Sequence, residues 1–316
     1  MKIINIFNCS FAVNIYDEKV LSYLLDRFRG FLHYDQNIDF DAYIISEETI
    51  IDEQLENIKD EIIITDNTLQ KIINIGSFAT IIHKKKEKRI IVQKRNVSLK
   101  ISQIIGVNLC DIILDVLYEN NIFCMHCGVV SVLDDCNNGI AIIGHSGSGK
   151  TTLTLKFAEN GAVLTNDDIA YFKFENQKIV VIKNTQYIGL DEANLNANFS
   201  YLKPYIVSNR NYDKLKVDLY AYNKQLYANK ITINRFLFIS KNHTLTQHIN
   251  YISSFDAFRR IINISNQFNR GRYSSIFLNC ILDICMSIKS YEASLSDSLS
   301  DAVSFLLDSP FLFNSK

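Results

Sequence analysis

Near the middle of the 316-residue chain the sequence reads Gly144-His145-Ser146-Gly147-Ser148-Gly149-Lys150-Thr151. Two glycines bracket four residues and are followed by Lys and Thr, which is the phosphate-loop (Walker A) pattern. Average residue usage produces this pattern by accident in roughly one chain in a hundred of this length. An apolar run before it, 140–143, predicts a strand, and the segment 152–159 after it predicts a helix that ends at Asn160-Gly161. The sequence therefore predicts an α/β fold around a phosphate-binding turn.

The chemistry of such a loop gives its residues distinct roles. Glycines let backbone N–H groups converge on a phosphate, and the following helix points its positive end at the same anion. Lys150 is predicted to reach the β and γ phosphates, and the Thr151 hydroxyl to bind Mg²⁺. The predicted cofactors are ATP and Mg²⁺, bound by residues 144–150 together with Thr151 and Thr152. The alternative is a glycine-rich turn that binds nothing.

A pair of carboxylates, Asp167-Asp168, follows the short apolar run Ala162 to Leu164. Two adjacent carboxylates at a strand end can divide the work of phosphoryl transfer, one supporting the metal and the other accepting the proton of an acceptor hydroxyl. An isolated Asp-Asp pair is more often a turn or a helix cap, and the neighbouring phosphate loop is what favours the catalytic interpretation.

His126 precedes the loop on another predicted strand, 122–133. An isolated strand histidine is usually structural. Cys124, Cys127 and Cys136 lie near it, but Cys-x-x-Cys without a second matching pair is only a partial zinc pattern. Buried thiols on a strand are the simpler explanation.

Taken together, three segments of this chain resemble the catalytic core of HPr kinase/phosphorylase and its relatives; they are His126-Cys127-Gly128, residues 144–152 and residues 161–168. The resemblance implies a P-loop kinase domain with a mixed sheet, related in fold to phosphoenolpyruvate carboxykinase. It also implies that Asp168 is the general base, that Asp167 assists the metal, and that His126 lies near the transferred phosphate. Later segments of the chain resemble, less specifically, the smaller HPr-kinase-related proteins. Some of those proteins are encoded beside peptide-modifying gene clusters.

Two departures from that family limit what the resemblance implies. Thr152 stands where the bifunctional enzymes carry Glu, and their acidic-Arg-Gly segment is absent. Glu192 is the nearest acidic candidate for a second metal contact. The resemblance therefore implies neither a phosphorolysis activity nor HPr as the phosphate acceptor.

Composition sets the remaining expectations. Lys plus Arg number 33 against 34 Asp plus Glu, and 47% of residues are hydrophobic, so a large core is predicted and nucleic acid is not a predicted partner. No run approaches about 18 uninterrupted apolar residues, so no membrane span is predicted. Seven scattered cysteines indicate a reducing cytoplasm. A composition shift predicts a smaller N-terminal α/β domain at 1–95, with a role in substrate recognition, and the P-loop kinase domain at 96–316.

Two functions remain open on the sequence. The preferred one is an ATP-dependent serine/threonine-type kinase whose acceptor is a hydroxyl on a peptide, a protein or a small molecule. The other is a nucleotide-dependent regulatory or binding module that hydrolyses ATP slowly and has no acceptor. Four arginines either clamp phosphate or are surface charges: Arg259, Arg260, Arg270 and Arg272. Family likeness hints at a homo-oligomer, but no heptad seam supports one.

Overall fold

The computed structural model describes residues 2–28, 31–33, 42–49, 62–94, 99–131, 136–176, 178–183, 187–209, 214–240, 247–269, 275–296 and 298–313. The chain forms two compact units, Met1–Asn120 and Asn121–Lys316. Both units combine multi-stranded sheets with helices, so the predicted α/β class is confirmed.

The first unit contains one mixed sheet. Its described strands are β1 (Lys2–Ile6), β2 (Cys9–Asn14), β3 (Leu32–His33), β4 (Tyr43–Thr49), β5 (Ile62–Asp66), β6 (Gln70–Ile75), β7 (Ala79–Lys84) and β8 (Arg89–Lys94). They are ordered β3-β1-β2-β4-β8-β7-β6-β5, and β4 runs parallel to both of its neighbours. Strands β7 and β8 form a hairpin whose tip carries the charged run 84–88. Strands β1 and β2 form a second hairpin, in which Phe7 has a φ of 54°.

Two helices belong to this unit, α1 (Glu18–Arg27) and α2 (Leu99–Glu119), and they pack against each other. Asp17 caps α1 by accepting hydrogen bonds from the backbone N–H groups of Lys19 and Val20. Because α2 also contacts β6 and β7, the unit continues to Asn120. The composition shift near residue 95 falls between β8 and α2, and a domain boundary at that position stays a prediction.

Helix α2 is also the one described helix long and apolar enough to cross a membrane by length and composition. Its apolar window, Lys100–Glu119, has a mean hydropathy of 1.6, and 67% of that window is buried within the fold. Core helices of soluble proteins pass the same test, and the burial of this helix is typical of them.

The second unit is built on a larger sheet and a small one. Its described strands are β9 (Ile122–Ser131), β10 (Gly139–Ile143), β11 (Val163–Asn166), β12 (Ile169–Glu175), β13 (Lys178–Ile182), β14 (Tyr187–Leu190), β15 (Ile206–Asn209), β16 (Leu215–Asp218), β17 (Lys230–Ser240), β18 (His248–Ile252) and β19 (Lys289–Ser294). The larger sheet has the order β10-β9-β12-β13-β17-β19-β18, with β11 paired to β9 and β10 also paired to β17. Strands β14, β16 and β15 form the small sheet.

The described helices of this unit are α3 (Lys150–Glu159), α4 (Glu192–Asn198), α5 (Leu219–Tyr222), α6 (Ser254–Asn269), α7 (Ser275–Ser287), α8 (Leu299–Leu307) and α9 (Pro310–Phe313). Helix α3 packs on β9 and α8. Strand β10 is buried along its whole length, as expected for an apolar strand covered on both faces.

Strand β9 positions the functional residues. On one side it pairs with β10, so that Cys127 lies opposite Ile143, the last residue before the glycine-rich turn. On the other side it pairs with β12, so that His126 lies opposite Ile169, the residue that follows Asp168. The three sequence segments are therefore neighbours across two adjacent ladders.

Candidate active site

The glycine-rich turn joins β10 to α3, and its conformation explains two of its glycines. Gly149 is the N-cap of α3 with a φ of 93°, a left-handed conformation in which any side chain is strained. At Gly144 the limit is space, because an added Cβ would lie 2.5 Å from Ser148 Oγ and 2.8 Å from the carbonyl oxygen of Ile239. The turn therefore packs closely against β17, and its last glycine lies at the start of α3.

Lys150, the first residue of α3, is buried. Its ammonium donates hydrogen bonds to the carbonyl oxygens of Gly144 at 2.7 Å and His145 at 2.9 Å. Burial is the main cause that lowers the pKa of this ammonium, and the nearby Cys127, Asp167 and Asp168 oppose the shift. A buried cation at a helix N-terminus suits anionic oxygens better than neutral carbonyls.

A cavity of about 690 Å³ opens beside the turn. Residues 146–153 and His126 line it, and two further groups of residues form its walls. One wall comes from the small sheet and α4, and it includes Gly189, Asn194 and Lys214. The other wall comes from the ends of β17 and β19 and the start of α8, with Ser240 and Leu295. The cavity is large enough for a small ligand and has polar groups at its centre.

Asp167 lies against the start of α3. Its Oδ2 accepts a hydrogen bond from Thr151 Oγ1 at 3.1 Å, and its Oδ1 is buried without a hydrogen-bond partner among the described residues. Burial and the neighbouring charge of Asp168 raise the pKa of Asp167 to about 7, against the smaller opposing effects of Thr151 and the nearby lysines. A cation beside this carboxyl would favour its ionised form.

These two side chains fit the predicted Mg²⁺ site. A hydroxyl and a carboxylate are the oxygen ligands that Mg²⁺ takes from proteins, and the unpartnered Asp167 Oδ1 leaves an acceptor free for a cation. The described residues contain no cluster of three or more His, Cys, Asp and Glu side chains that could hold a metal. Mg²⁺ bound with a nucleotide needs only one or two protein ligands.

Asp168 follows Asp167 in the connection between β11 and β12. Its φ is 85°, and its carboxylate is largely exposed. His126 Nε2 is 2.9 Å from Asp168 Oδ1, and the imidazole is 14% exposed. The ladder between β9 and β12 creates this contact, because it pairs His126 with the residue next to Asp168. Positive φ is tolerated by Asp better than by most residues, so the conformation is consistent with a specialised role.

Thr152 lines the cavity next to Thr151. Its Oγ1 accepts a hydrogen bond from Asn194 Nδ2 at 2.7 Å, and this bond ties α4 to α3. Glu192 begins α4 as an exposed residue outside the cavity lining, whereas its neighbour Asp191 lines the cavity and caps α4 through the N–H of Asn194. A metal contact at Glu192 stays a prediction.

The arginines considered on the sequence lie elsewhere. Arg260 makes a bidentate ion pair with Glu292 at 2.7 and 3.0 Å and stacks over Phe238. Arg259 is exposed and 3.7 Å from Asp256. Neither lines the cavity, so both act as structural or surface charges, and Arg270 and Arg272 lie outside the described residues. The cavity does contain a cation that no sequence motif predicts, Lys214.

The cysteines near the site are buried thiols. Cys124 and Cys127 are buried on β9, and all seven cysteines are free of disulfides. Burial raises the pKa of the Cys127 thiol far above its usual range, with smaller effects from Lys150 and Asp167. Such a thiol is a packing residue.

Comparison with known proteins gives little more. No protein-family model matches the chain, and no curated protein sequence matches it. Among solved structures, the HPr(Ser) kinase/phosphatase from Coxiella burnetii aligns with a TM-score of 0.33 and 13% identity. The alignment covers 58% of this chain and 93% of that chain. A similarity this weak indicates only a distant fold relationship and says nothing about chemistry.

Proposed function

We propose that this protein is an ATP-dependent phosphotransferase that moves the γ-phosphate of ATP to a hydroxyl group of a peptide, a protein or a small molecule. One observation carries the proposal. Asp167 accepts a hydrogen bond from Thr151, and Asp168 Oδ1 lies 2.9 Å from His126 Nε2. Thr151 and His126 line the same cavity. Two acids with separate partners beside one phosphate-binding turn supply the parts of phosphoryl transfer.

The reaction is a displacement at the γ-phosphorus. The acceptor hydroxyl oxygen forms the new O–P bond, the bond from that phosphorus to the β,γ-bridging oxygen breaks, and ADP leaves. Asp168 takes the hydroxyl proton, since its carboxylate is largely exposed and can reach an incoming acceptor. Its contact with His126 orients the carboxylate.

Lys150 and the N–H groups of residues 146–150 would bind the phosphate oxygens. Thr151 and Asp167 would hold Mg²⁺, which supplies neutralisation of phosphate charge when it is bound. Asp167 can serve in this way without competing for the hydroxyl proton, because it is buried against α3.

Among the described residues, no feature identifies an acceptor. A nucleotide-dependent regulatory or binding module is therefore the second candidate function. A nucleotide-dependent module would use the same turn and the same metal ligands, with water as the slow nucleophile. Both functions predict ATP binding, and they differ in whether an acceptor hydroxyl increases turnover.

The test uses ATP labelled at the γ-phosphate, with Mg²⁺ and a mixture of Ser- and Thr-containing peptides. Transfer of label to a peptide that depends on Asp168 supports the phosphotransferase. Release of labelled phosphate at a rate that no acceptor increases supports the module. Absence of both ATP binding and turnover in the folded protein would overturn both functions.

A further inference from the structure

Lys214 lines the cavity that opens beside the phosphate-binding turn. It directly precedes β16, it is exposed, and it lines the cavity together with Lys150 and residues 146–149. The sequence pattern of the turn does not include it, and it comes from the small sheet rather than from the sheet that carries the turn.

The stem of Lys214 lies over Gly189 in the adjacent strand β14. A Cβ built on Gly189 would meet Lys214 Cδ at 3.4 Å and Lys214 Cβ at 3.9 Å. These are ordinary van der Waals distances, so the aliphatic stem runs across β14 at Gly189, and both residues line the cavity. This packing holds the side chain over the cavity instead of along the outer surface.

The ammonium of Lys214 has no carboxylate or hydrogen-bond partner among the described residues. In contrast, Lys156 pairs with Glu159, and Lys150 donates to two carbonyl oxygens. Lys214 is close enough to interact electrostatically with both Lys150 and Asp167. Two cations that line one cavity repel each other unless an anion lies between them.

We propose that Lys214 binds the terminal phosphate of the nucleoside triphosphate, so that the γ-phosphate is held between Lys150 on the turn and Lys214 on the cavity wall. This inference rests on the proposed nucleotide site and goes further, because it names a residue that distinguishes ATP from ADP. During phosphoryl transfer the same ammonium would stabilise negative charge on the oxygens of the transferred group.

The experiment measures binding of Mg-ATP and Mg-ADP by titration calorimetry to the full chain and to three variants, Lys214→Met, Lys214→Arg and Lys224→Met. Lys224 is an exposed lysine of the same unit that does not line the cavity, so its variant makes the same change in net charge. We expect Lys214→Met to weaken ATP binding about tenfold to a hundredfold and ADP binding less than about twofold. Lys214→Arg should restore most of the ATP affinity, and Lys224→Met should change neither.

The outcomes separate this inference from the function beneath it. If the wild-type protein binds both nucleotides and Lys214→Met leaves the ATP to ADP affinity ratio unchanged, Lys214 is not a γ-phosphate ligand, and the nucleotide site stands. An equal loss of affinity for ATP and ADP leads to the same conclusion. If the wild-type protein binds neither nucleotide, the proposed function and this inference fall together.

Discussion

Asp168 combines a backbone conformation and a contact that few residue types could supply together. Its φ of 85° is strained for most side chains but tolerated by Asp and Asn. Its carboxylate reaches His126 from this conformation. Asparagine is therefore the substitution that keeps the backbone and the hydrogen-bond reach while it removes the base.

We expect Asp168→Asn to bind Mg-ATP with near-normal affinity and to lose about 10²- to 10⁴-fold in phosphoryl transfer, the usual contribution of a positioned base. The measurements are calorimetric ATP affinity and the rate of label transfer. Asp283→Asn is the control, since Asp283 is an exposed carboxylate on α7 outside the cavity. Near-normal transfer by the Asp168 variant would remove Asp168 from the role of base.

Lys150 is expected to matter for binding itself. Replacing it with Met removes the buried ammonium at the start of α3, and we expect the affinity for Mg-ATP to fall at least about tenfold because a charge-assisted contact to phosphate is lost. Lys156→Met on the same helix should bind ATP normally, because its ammonium pairs with Glu159. Equal affinities of the two variants would show that the turn does not bind the triphosphate.

At the scale of secondary-structure elements, the candidate site can form only if α3 packs closely against β9. Gly128 on β9 and Thr154 on α3 are in close contact, and a Cβ added to Gly128 would lie 2.1 Å from Thr154 Oγ1. Thr154 is fully buried, and its hydroxyl has no partner among the described residues. The helix can approach the strand only because the strand has no side chain at this position.

We therefore expect Gly128→Ala to destabilise the protein by about 1–3 kcal/mol through overpacking. Thr154→Ala removes the clashing oxygen, so the double variant should recover most of the loss. Urea unfolding of the two single variants and the double variant measures this coupling. Strictly additive effects of the two substitutions would contradict the contact.

The elements around the turn were predictable because they are apolar and short. β10 matches its predicted run, and α3 begins at Lys150, two residues before the predicted start. The small sheet was not predictable, because its strands have only four residues each. In β16 the half-buried Lys216 and Asp218 flank the buried Val217. Such strands acquire their burial from pairing, which no local pattern encodes.

The same distinction applies within the candidate site. Lys150, Thr151 and the aspartates stand close together in sequence, so their pattern indicated a shared chemistry. Lys214 comes to the turn only through the pairing of β14 with β16. The pairing of Arg260 could not be predicted either, because its partner Glu292 is 32 residues away in the sequence.

At the scale of the whole molecule, the first unit contains a pH-sensitive group of its own. His83 on β7 is 1% exposed, and neither ring nitrogen has a hydrogen-bond partner among the described residues. Burial, with smaller effects from Lys85 and Lys71 against Asp66, lowers the pKa of His83 to about 4. The folded unit therefore binds this proton more weakly than the unfolded chain does.

The sign of the stability change follows from linkage. Between the unfolded pKa near 6.5 and the folded pKa near 4, the unfolded chain holds more protons, so stability falls as the pH falls. We expect the wild-type protein to lose about 2–3 kcal/mol more than His83→Leu when the pH is lowered from 7.5 to 4.5. Urea unfolding followed by circular dichroism tests this. An equal acid sensitivity of both proteins would mean that His83 charges freely in the folded state.

The connectivity of the larger sheet has a consequence for how the second unit is made. Strand β17 lies parallel to β10, which precedes it by a long segment, and parallel to β19, which ends at Ser294. Local hairpins such as β12 with β13 can form early, but these distant partners require large loops to close first. A ribosome-bound nascent chain thus has to release β19 from the exit tunnel before the central strand has both parallel neighbours. The candidate active site should form completely only after that point in synthesis.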